Sequence, residues 1–367
     1  MFMKIGIVGL PNVGKSTLFN ALTGASANVA NYPFCTIDPN IGIVPVPDPR
    51  LERLAHILHA KTLIPAVVEF VDIAGLVKGA SRGEGLGNQF LSHIREVDAI
   101  LHVVRCFHDN LITRIDETTS PADDFKTVEL ELIIADIEHL ERRRNKVARQ
   151  AKSTDPVLFR ELELIDRLMT HLDAGNSIRT FLTEIDDQEV IRQVEHYYLL
   201  TAKPIMVVAN VSDSFNQDND SDLNSLKSFF EGSETNVIPV SARLEAEIAE
   251  LPEEDRQVFF DEMRIDKSSL DQVIQESYRL LGLISFFTGN EKEARAWTIR
   301  KGTLASRAAG AIHSDFERGF IRAEVVSFDD LDVSGSFMRA REKGRIRSEG
   351  KAYVVQDGDV ILFRFNV

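Results

Sequence analysis

The sequence predicts an α/β protein in which a doubly wound, mainly parallel sheet is interrupted by a helical hairpin and followed by a smaller α+β module. Three observations predict this: apolar runs alternate with amphipathic stretches, a long helical pattern occupies the middle of the chain, and strand-like pieces with glycines follow it. A chain of 367 residues, 44% of them hydrophobic, is long enough for two or three domains with cores of their own.

Five short apolar runs, each bounded by turn or helix signals, are typical of buried strands in a parallel sheet. Amphipathic stretches separate them, which is the βαβ pattern of a doubly wound domain. The gap between the third and fourth runs is too long for one crossover helix, so a further unit is inserted there. The runs are residues 5–8, 67–71, 99–104, 205–209 and 237–240.

The inserted unit is predicted to be an antiparallel helical hairpin, because apolar residues recur at alternating spacings of three and four on both sides of a break at 153–156. Each arm of about 20 residues would be roughly 30 Å long, so the tip would project from the sheet. Cations crowd this tip, and they indicate either a solvated helix end or a nucleic-acid contact. They are Arg142, Arg143, Arg144, Lys146, Arg149 and Lys152.

The C-terminal part is predicted to be a compact α+β module of about 80 residues. Its predicted strands are 294–299, 320–328, 352–355 and 360–366, with one helix at 304–315. The formal charge of the whole chain is −15, which argues against nonspecific coating of nucleic acid, yet this module is slightly basic. A second group of cations lies within it: Arg339, Arg341, Lys343, Arg345 and Arg347.

A cytoplasmic protein is expected, because neither a signal segment nor an apolar span of bilayer length is recognisable. Only two cysteines occur, Cys35 and Cys106, and neither a disulfide framework nor a zinc site is indicated. Cys35 is either a redox-sensitive thiol or a plain small residue.

The strongest motif, Gly9-Leu-Pro-Asn-Val-Gly-Lys-Ser16, lies between the first predicted strand and a predicted helix. Backbone N–H groups of such a loop point at phosphate oxygens, and the helix N-terminus adds its positive dipole end. Lys15 is expected to reach the β and γ phosphates, and the Ser16 hydroxyl is expected to ligate Mg²⁺. The motif therefore predicts a P-loop nucleoside triphosphatase.

Two further segments are suited to respond to the γ phosphate. Thr36 lies in a stretch rich in proline and asparagine, and its hydroxyl could close over the γ phosphate and Mg²⁺. Asp72-Ile-Ala-Gly75 puts a carboxylate in the outer shell of the metal and a glycine N–H near the γ phosphate. Leu76 stands where related enzymes place the glutamine that orients water, so slow intrinsic hydrolysis is expected.

The base-reading region is predicted at the ends of the fourth and fifth strands. Asn210-Val-Ser-Asp213 stands where the motif Asn-Lys-x-Asp is expected. Asp213 favours guanine, whereas Val211 in place of the lysine weakens the case for guanine. Ser241 and Ala242 are expected to close over the base through their backbone.

These residues closely resemble one family, the YchF or Obg-like ATPases. The resemblance covers nearly the whole chain and rests on the phosphate loop and on the motifs at 31–36, 72–77, 83–90, 295–298, 313–320 and 357–360. It implies a P-loop G domain at 1–115 and 203–280, with a helical coiled-coil domain inserted at 116–202. It also implies that 281–367 form a TGS domain, a small β-grasp module associated with RNA-binding proteins.

The resemblance also implies roles for individual residues. Ser16 and Thr36 would ligate Mg²⁺, and Asn210 with Val211 would contact a base that is typically adenine. An asparagine matching Asn12 helps to bind K⁺ in some related enzymes that also have an apolar residue at the glutamine position. The residues expected to hold the phosphates are Asn12, Val13, Gly14, Lys15, Ser16 and Thr17.

The predicted function is a switch: a slow purine nucleoside triphosphatase that prefers ATP over GTP, uses Mg²⁺ and binds the ribosome and ribosomal RNA. Lys15, Thr36 and Gly75 are its predicted catalytic residues, and neither a membrane partner nor DNA specificity is expected. Three alternatives stay open. They are a GTP-specific regulatory GTPase, a metabolic P-loop kinase, and a nucleotide-stabilised RNA- or protein-binding module with negligible turnover.

Overall fold

The computed structural model of the chain contains two six-stranded sheets and the helices that pack on them. It describes residues 3–24, 40–73, 86–108, 120–150, 155–213, 220–252, 255–256, 258 and 268–366. The strands are β1 (Lys4–Val8), β2 (Ile41–Pro45), β3 (Thr62–Ile64), β4 (Val67–Asp72), β5 (Ala99–Cys106), β6 (Ile205–Val211), β7 (Val237–Val240), β8 (Leu283–Gly289), β9 (Glu293–Arg300), β10 (Phe320–Ser327), β11 (Arg347–Glu349) and β12 (Asp359–Phe365).

Helices pack on both sheets or, in the inserted part of the chain, on each other, and a 3-10 turn at Leu200–Ala202 precedes β6. The helices are α1 (Lys15–Gly24), α2 (Pro49–Leu58), α3 (Leu86–Glu96), α4 (Pro121–Gln150), α5 (Pro156–Asp173), α6 (Ile178–Thr183), α7 (Gln188–Glu195), α8 (Ser221–Phe229), α9 (Ala242–Glu250), α10 (Ser269–Leu280), α11 (Ala305–Ile312), α12 (Ser314–Arg318), α13 (Phe328–Ser334) and α14 (Phe337–Glu342). No helix among the described residues has the length and apolar character needed to cross a bilayer.

The first sheet has the strand order β2-β4-β1-β5-β6-β7. Its neighbours are parallel except that β2 runs antiparallel to β4. At the centre, Ile5 pairs with Phe70 on one side and Ala99 on the other, and both faces of the sheet are covered by apolar cores. Burial on both faces explains why these strands read as continuous apolar runs. The predicted doubly wound, mainly parallel sheet is confirmed; the edge strand β2 was not predicted.

The inserted helices form the predicted hairpin, but its first arm is longer than expected. α4 begins at Pro121, where Ser120 and Asp123 cap its first turn: the Asp123 N–H donates to the Ser120 hydroxyl oxygen, and the Ser120 N–H donates to the Asp123 carboxylate. Phe125 and Val128 lie in the core that covers the first sheet, so the base of the hairpin is part of that core.

The upper part of α4 packs against α5. Leu140 and Val147 share a separate core with Leu164 and Leu168, and Arg143 makes an ion pair with Glu161 across the two helices. The hairpin therefore has an apolar core of its own and extends beyond the core that covers the first sheet.

A buried carboxylate ties the hairpin to the strand that follows it. Asp136 of α4 is 2% exposed and accepts hydrogen bonds of 2.8 Å from the N–H groups of Leu200 and Thr201 and from the Thr201 hydroxyl. Burial raises the pKa of Asp136 to about 6, and the three donors oppose that shift. The chain entering β6 is thereby fixed to the hairpin.

The second sheet has the order β11-β10-β12-β8-β9-β3, so it draws one strand from the N-terminal part of the chain. Thr62 of β3 pairs in parallel with Glu293 of β9. Arg50 at the start of α2 also makes an ion pair with Asp357, which precedes β12. The proposed boundary at 281 stays a prediction, but the C-terminal sheet is physically continuous with residues far upstream.

One predicted strand, 352–355, is wrong. Within it, Val354 makes only an isolated bridge with Leu304, because the following turn closes on itself: the Gln356 N–H and the Tyr353 hydroxyl both donate to Asp359. The predicted helix at 304–315 is also divided into α11 and α12. The division falls at His313, which is extended and whose ring nitrogen accepts from the Asp315 N–H.

Candidate functional site

The loop between β1 and α1 has the backbone that its glycines allow. Gly9 and Gly14 have φ angles of +154° and +97°, and a Cβ at Gly9 would lie 2.4 Å from the carbonyl oxygen of Val103. Only glycine is suited to such positions. Asn12 also has a positive φ, 61°, so three residues of the loop depart from ordinary backbone geometry.

Lys15 lies at the first position of α1 with its side chain buried, since only 8% of the residue is exposed. Its ammonium group donates to the Leu10 carbonyl oxygen at 2.8 Å. Burial lowers the pKa of Lys15, and the Asp72 carboxylate partly offsets this. A desolvated cation at a helix N-terminus is a strong attractor for phosphate.

Ser16 and Asp72 meet at the mouth of the loop. The Ser16 hydroxyl donates to an Asp72 carboxylate oxygen at 2.8 Å, which joins the start of α1 to the end of β4. Mg²⁺ prefers hard oxygen ligands and keeps several waters, so a hydroxyl beside a carboxylate suits the ion. These two residues therefore fit the magnesium ion that accompanies a nucleotide in P-loop proteins.

Asn210 connects the phosphate loop with the loop after β7. Its amide group donates to the Val13 carbonyl oxygen at 2.8 Å, and its side-chain oxygen accepts from the Ala242 N–H at 3.0 Å. The residue is 5% exposed, so both bonds are shielded from water. Asn210 was expected to contact the base, whereas its side chain holds together two of the segments that form the cleft.

Asp213 is engaged by Ser241, which follows β7, and by Arg243 in the first turn of α9. The Ser241 hydroxyl donates to one carboxylate oxygen at 2.7 Å, and Arg243 forms an ion pair with the other. Ser241 also caps α9 by accepting from the Leu244 N–H. The ion pair with Arg243 offsets the charge of this carboxylate and weakens it as an acceptor for guanine.

A cleft of about 570 Å³ gathers most of the predicted nucleotide-binding residues. Thr17 and Val211 lie at its wall, whereas Val13 has a buried side chain and contributes its carbonyl to Asn210. Three predicted residues, Thr36, Gly75 and Leu76, lie outside the described residues, as do Cys35 and Lys152. The predicted residues that line the cleft are Asn12, Gly14, Lys15, Ser16, Thr17, Asn210, Val211, Asp213 and Ala242.

Phe107 and His108 also line the cleft, although no motif in the sequence indicated them. Arg105 positions this segment: its Nε donates to the Phe107 carbonyl oxygen at 3.1 Å, and its guanidinium lies 4.5 Å from the centre of the Phe107 ring. Both missed residues directly follow β5, and the carboxyl ends of adjacent parallel strands meet at one edge. That topological rule could have identified them.

The cations at the hairpin tip do not act as one group. Arg143 and Arg144 form ion pairs with acidic residues of α5. In contrast, Arg142, Lys146 and Arg149 make no ion pair within the described part of the chain, and they line an open concavity of about 460 Å³. Their spacing places them on one side of α4. We call these three residues the tip face.

The C-terminal group of cations is largely neutralised by its own module. Arg341 pairs with Glu324, Arg345 with Asp330, and Arg347 with Asp359. Among the described residues only Arg339 and Lys343 of this group lack an ion pair. The tip face is thus the denser exposed cationic surface of the two.

Comparison with known proteins supports the resemblance seen in the sequence. A family model described as a 50S ribosome-binding GTPase matches residues 4–135, and one for the C-terminal part of YchF GTPases, described as a protein of unknown function, matches residues 283–366. Proteins named "Ribosome-binding ATPase YchF" are 52% identical in Bacillus subtilis and 47% identical in Escherichia coli O157:H7, and each match covers 100% of both chains.

Solved structures give the same result. The structure of the Schizosaccharomyces pombe YchF GTPase matches with a TM-score of 0.89 and 36% identity, and the match covers 99% of this chain and 97% of that chain. The fold and the sequence motifs therefore agree from end to end, and the chain belongs to the YchF family.

Proposed function

We propose that this protein is a cytoplasmic ATPase that binds the ribosome and whose state depends on the nucleotide in the cleft. Its relatives at 52% and 47% identity are named ribosome-binding ATPases. The phosphate loop supplies Lys15 to neutralise phosphate charge, and backbone N–H groups at the start of α1 add to this. Ser16, Thr36 and Asp72 would hold Mg²⁺, which neutralises charge that develops on the phosphate oxygens.

The occupied carboxylate of Asp213 is the observation that carries the preference for ATP. Guanine recognition requires a strong acceptor for the ring N–H and the amino group, yet Arg243 neutralises the charge of Asp213 and Ser241 donates to its other oxygen, so this carboxylate is a weaker acceptor than an unpaired one. Adenine has no N1–H and does not need this acceptor. Val211, which replaces the lysine of the guanine-reading motif, is 4% exposed and contributes only an apolar wall.

We expect ATP to bind at least as tightly as GTP, as measured by isothermal titration with Mg²⁺. The matched variant is Arg243→Ala, which releases one oxygen of Asp213 and should shift the ratio of affinities toward GTP. In Asp213→Ala the two affinities should change by the same factor, because the carboxylate does not read the base. A tenfold preference of the parent protein for GTP, about 1.4 kcal/mol, would contradict the assignment.

A GTP-specific GTPase is the second candidate, because Asp213 is retained and the matching N-terminal family is described as a GTPase. The titration above separates the two functions. A nucleotide-stabilised module with negligible turnover is a third, since Leu76 cannot orient water. Release of γ-phosphate in a single-turnover experiment distinguishes this module from a slow ATPase.

We further expect hydrolysis to be several-fold faster in potassium than in sodium buffer. Asn12 belongs to the phosphate loop, has a left-handed backbone and lies at the wall of the cleft. A monovalent cation held there would supply charge that an arginine or glutamine supplies in other enzymes. Steady-state phosphate release at constant ionic strength measures the effect, and Asn12→Ala should abolish the difference. Equal rates of the parent protein in both salts would remove Asn12 from this role.

A further inference from the structure

A junction of shielded polar groups lies where the inserted helices meet the first sheet. Glu129 of α4 forms an ion pair with Arg179 of α6, and their side chains are only 13% and 18% exposed. Arg179 also donates to the carbonyl oxygen of Lys203 at 3.1 Å, just ahead of β6. The ion pair therefore connects two inserted helices with the strand that leads to Asn210 in the nucleotide cleft.

Lys203 extends this junction to α3. Its ammonium group donates to the carbonyl oxygen of Arg95 at 3.1 Å and to that of Val97, both at the C-terminal end of the helix. A cation is favourable there, because the last carbonyl groups of a helix lack partners within it and carry the negative end of the dipole. α3 is the first described helix after Asp72. The junction thus contacts the element that follows the predicted metal-binding carboxylate.

A histidine connects the same junction with the phosphate loop. His102 of β5 pairs with Val8, the last residue before that loop, and its ring stacks on Phe125 of α4 with 4.8 Å between the ring centres. Burial and, to a smaller extent, the cations of Arg179 and Lys15 lower the pKa of His102 to about 3. The neutral ring therefore lies within electrostatic reach of a cation of the phosphate loop and of a cation of the inserted helices.

Two buried polar atoms at the junction have no hydrogen-bond partner in the part of the chain that the structure describes. They are Nδ1 of His102, a residue that is 1% exposed, and Oε2 of Glu129. Glu129 lies one turn after Phe125, so both are on the side of α4 that contacts His102. A buried polar atom without a partner is costly, so an arrangement that satisfies both atoms can lie close to this one in free energy.

We propose that this junction couples the nucleotide cleft to the helical hairpin, an inference that rests on the proposed function. The junction has two arrangements: the one described above, and one in which Nδ1 of His102 and Oε2 of Glu129 are satisfied. Nucleotide binding changes the balance between them, because β5 and β6 run from the junction to the cleft. The hairpin, which carries the tip face, then binds the ribosome with a different affinity. By linkage, the ribosome changes nucleotide affinity by the same factor.

Ribosome co-sedimentation of the full chain, with and without Mg²⁺ and a nonhydrolysable ATP analogue, measures the coupling. For the parent protein the two dissociation constants should differ at least fivefold. In Glu129→Gln/Arg179→Met, which removes both charges and leaves no buried carboxylate unpaired, the ratio should fall below two. The matched control, Glu189→Gln/Arg192→Met, makes the same change at exposed positions of α7 and should keep the ratio of the parent.

Hydrogen exchange of the full chain, measured by mass spectrometry, tests the junction without ribosomes. The ATP analogue should change the exchange rates of residues 121–140 and 178–184 at least twofold in the parent protein. This change should be lost in the double variant and in Lys203→Met, which removes the contact with α3. The affinity of both variants for ATP should stay within twofold of the parent, because none of the replaced residues lines the cleft.

The two measurements separate failure of this inference from failure of the proposed function. If the nucleotide changes the ribosome affinity of the parent and both variants retain that change, the junction is not the coupling element, although the proposed function stands. If the ribosome affinity of the parent ignores the nucleotide, the nucleotide dependence in the proposed function is wrong. Unchanged hydrogen exchange of 121–140 and 178–184 in the parent would overturn coupling through the junction by itself.

Discussion

Replacement of Lys15 by alanine should weaken triphosphate binding at least a hundredfold, about 2.7 kcal/mol. Lys15 is buried at the start of α1, and its ammonium group donates to the Leu10 carbonyl oxygen. A phosphate bound at this loop would lose the cation that lies nearest the helix N-terminus. Titration with a fluorescent ATP analogue measures the loss, and Lys61→Ala, which removes an exposed lysine, is the control.

The variant Ser16→Ala tests the contribution of the metal ion to nucleotide affinity separately from that of the phosphate loop. Because the Ser16 hydroxyl pairs with Asp72 and is suited to Mg²⁺, its removal should lower affinity in magnesium buffer but not in EDTA. The midpoint temperatures of thermal unfolding of Lys15→Ala and Ser16→Ala should lie within a few degrees of that of the parent protein. Unchanged nucleotide affinity in either variant, in magnesium buffer, would show that the loop has been assigned wrongly.

The nucleotide cleft was largely predictable because its residues follow strand ends in a doubly wound sheet. Once 5–8 and 205–209 are recognised as parallel strands, the loops after them must meet at one edge. The bonds made by Asn210 and Asp213 were not predictable from local patterns. Asn210 bonds to backbone groups of Val13 and Ala242, and Asp213 to the side chains of Ser241 and Arg243, which are distant in the sequence. Local patterns locate a site better than they describe its hydrogen bonds.

The C-terminal sheet shows a second limit of sequence analysis. Its strands β9, β10 and β12 have recognisable local patterns, but β3 is three residues long and pairs with a strand far downstream. No periodicity within 62–64 encodes that partner. Non-local pairing and the ion pair of Arg50 with Asp357 require knowledge of the folded chain.

Charge counts were misleading for a related physical reason. Six cations were counted at the hairpin tip, but Glu161 and Asp166 from α5 neutralise Arg143 and Arg144. The counterions come from the neighbouring helix and lie outside any sequence window. Of the described cations at the hairpin tip, only those of the tip face make no ion pair and are available to a partner.

We expect the triple variant Arg142→Ala/Lys146→Ala/Arg149→Ala to weaken ribosome co-sedimentation tenfold or more at moderate salt. These three side chains lie on one side of the hairpin and make no ion pair among the described residues, so they are available to phosphates of ribosomal RNA. Each phosphate contact adds about 0.7 to 0.9 to the slope of log K against log salt. Loss of all three should therefore reduce the magnitude of that slope by about 2 to 3.

The C-terminal group gives an internal comparison. Arg339→Ala/Lys343→Ala should have a smaller effect, because the remaining cations of that group are held in ion pairs. The control is the variant Lys61→Ala/Lys292→Ala/Lys301→Ala. It replaces three exposed lysines and so makes the same charge change as the triple variant.

Neither surface includes a residue of the nucleotide cleft, so ATP affinity should be unchanged and binding to the ribosome should persist without nucleotide. The salt series distinguishes the possible origins of the effect. If the tip variant pellets with ribosomes as well as the parent at every salt concentration, the tip face is a solvated helix end. If the control is impaired equally, attraction depends on net charge alone, and no particular surface of this acidic protein contacts RNA.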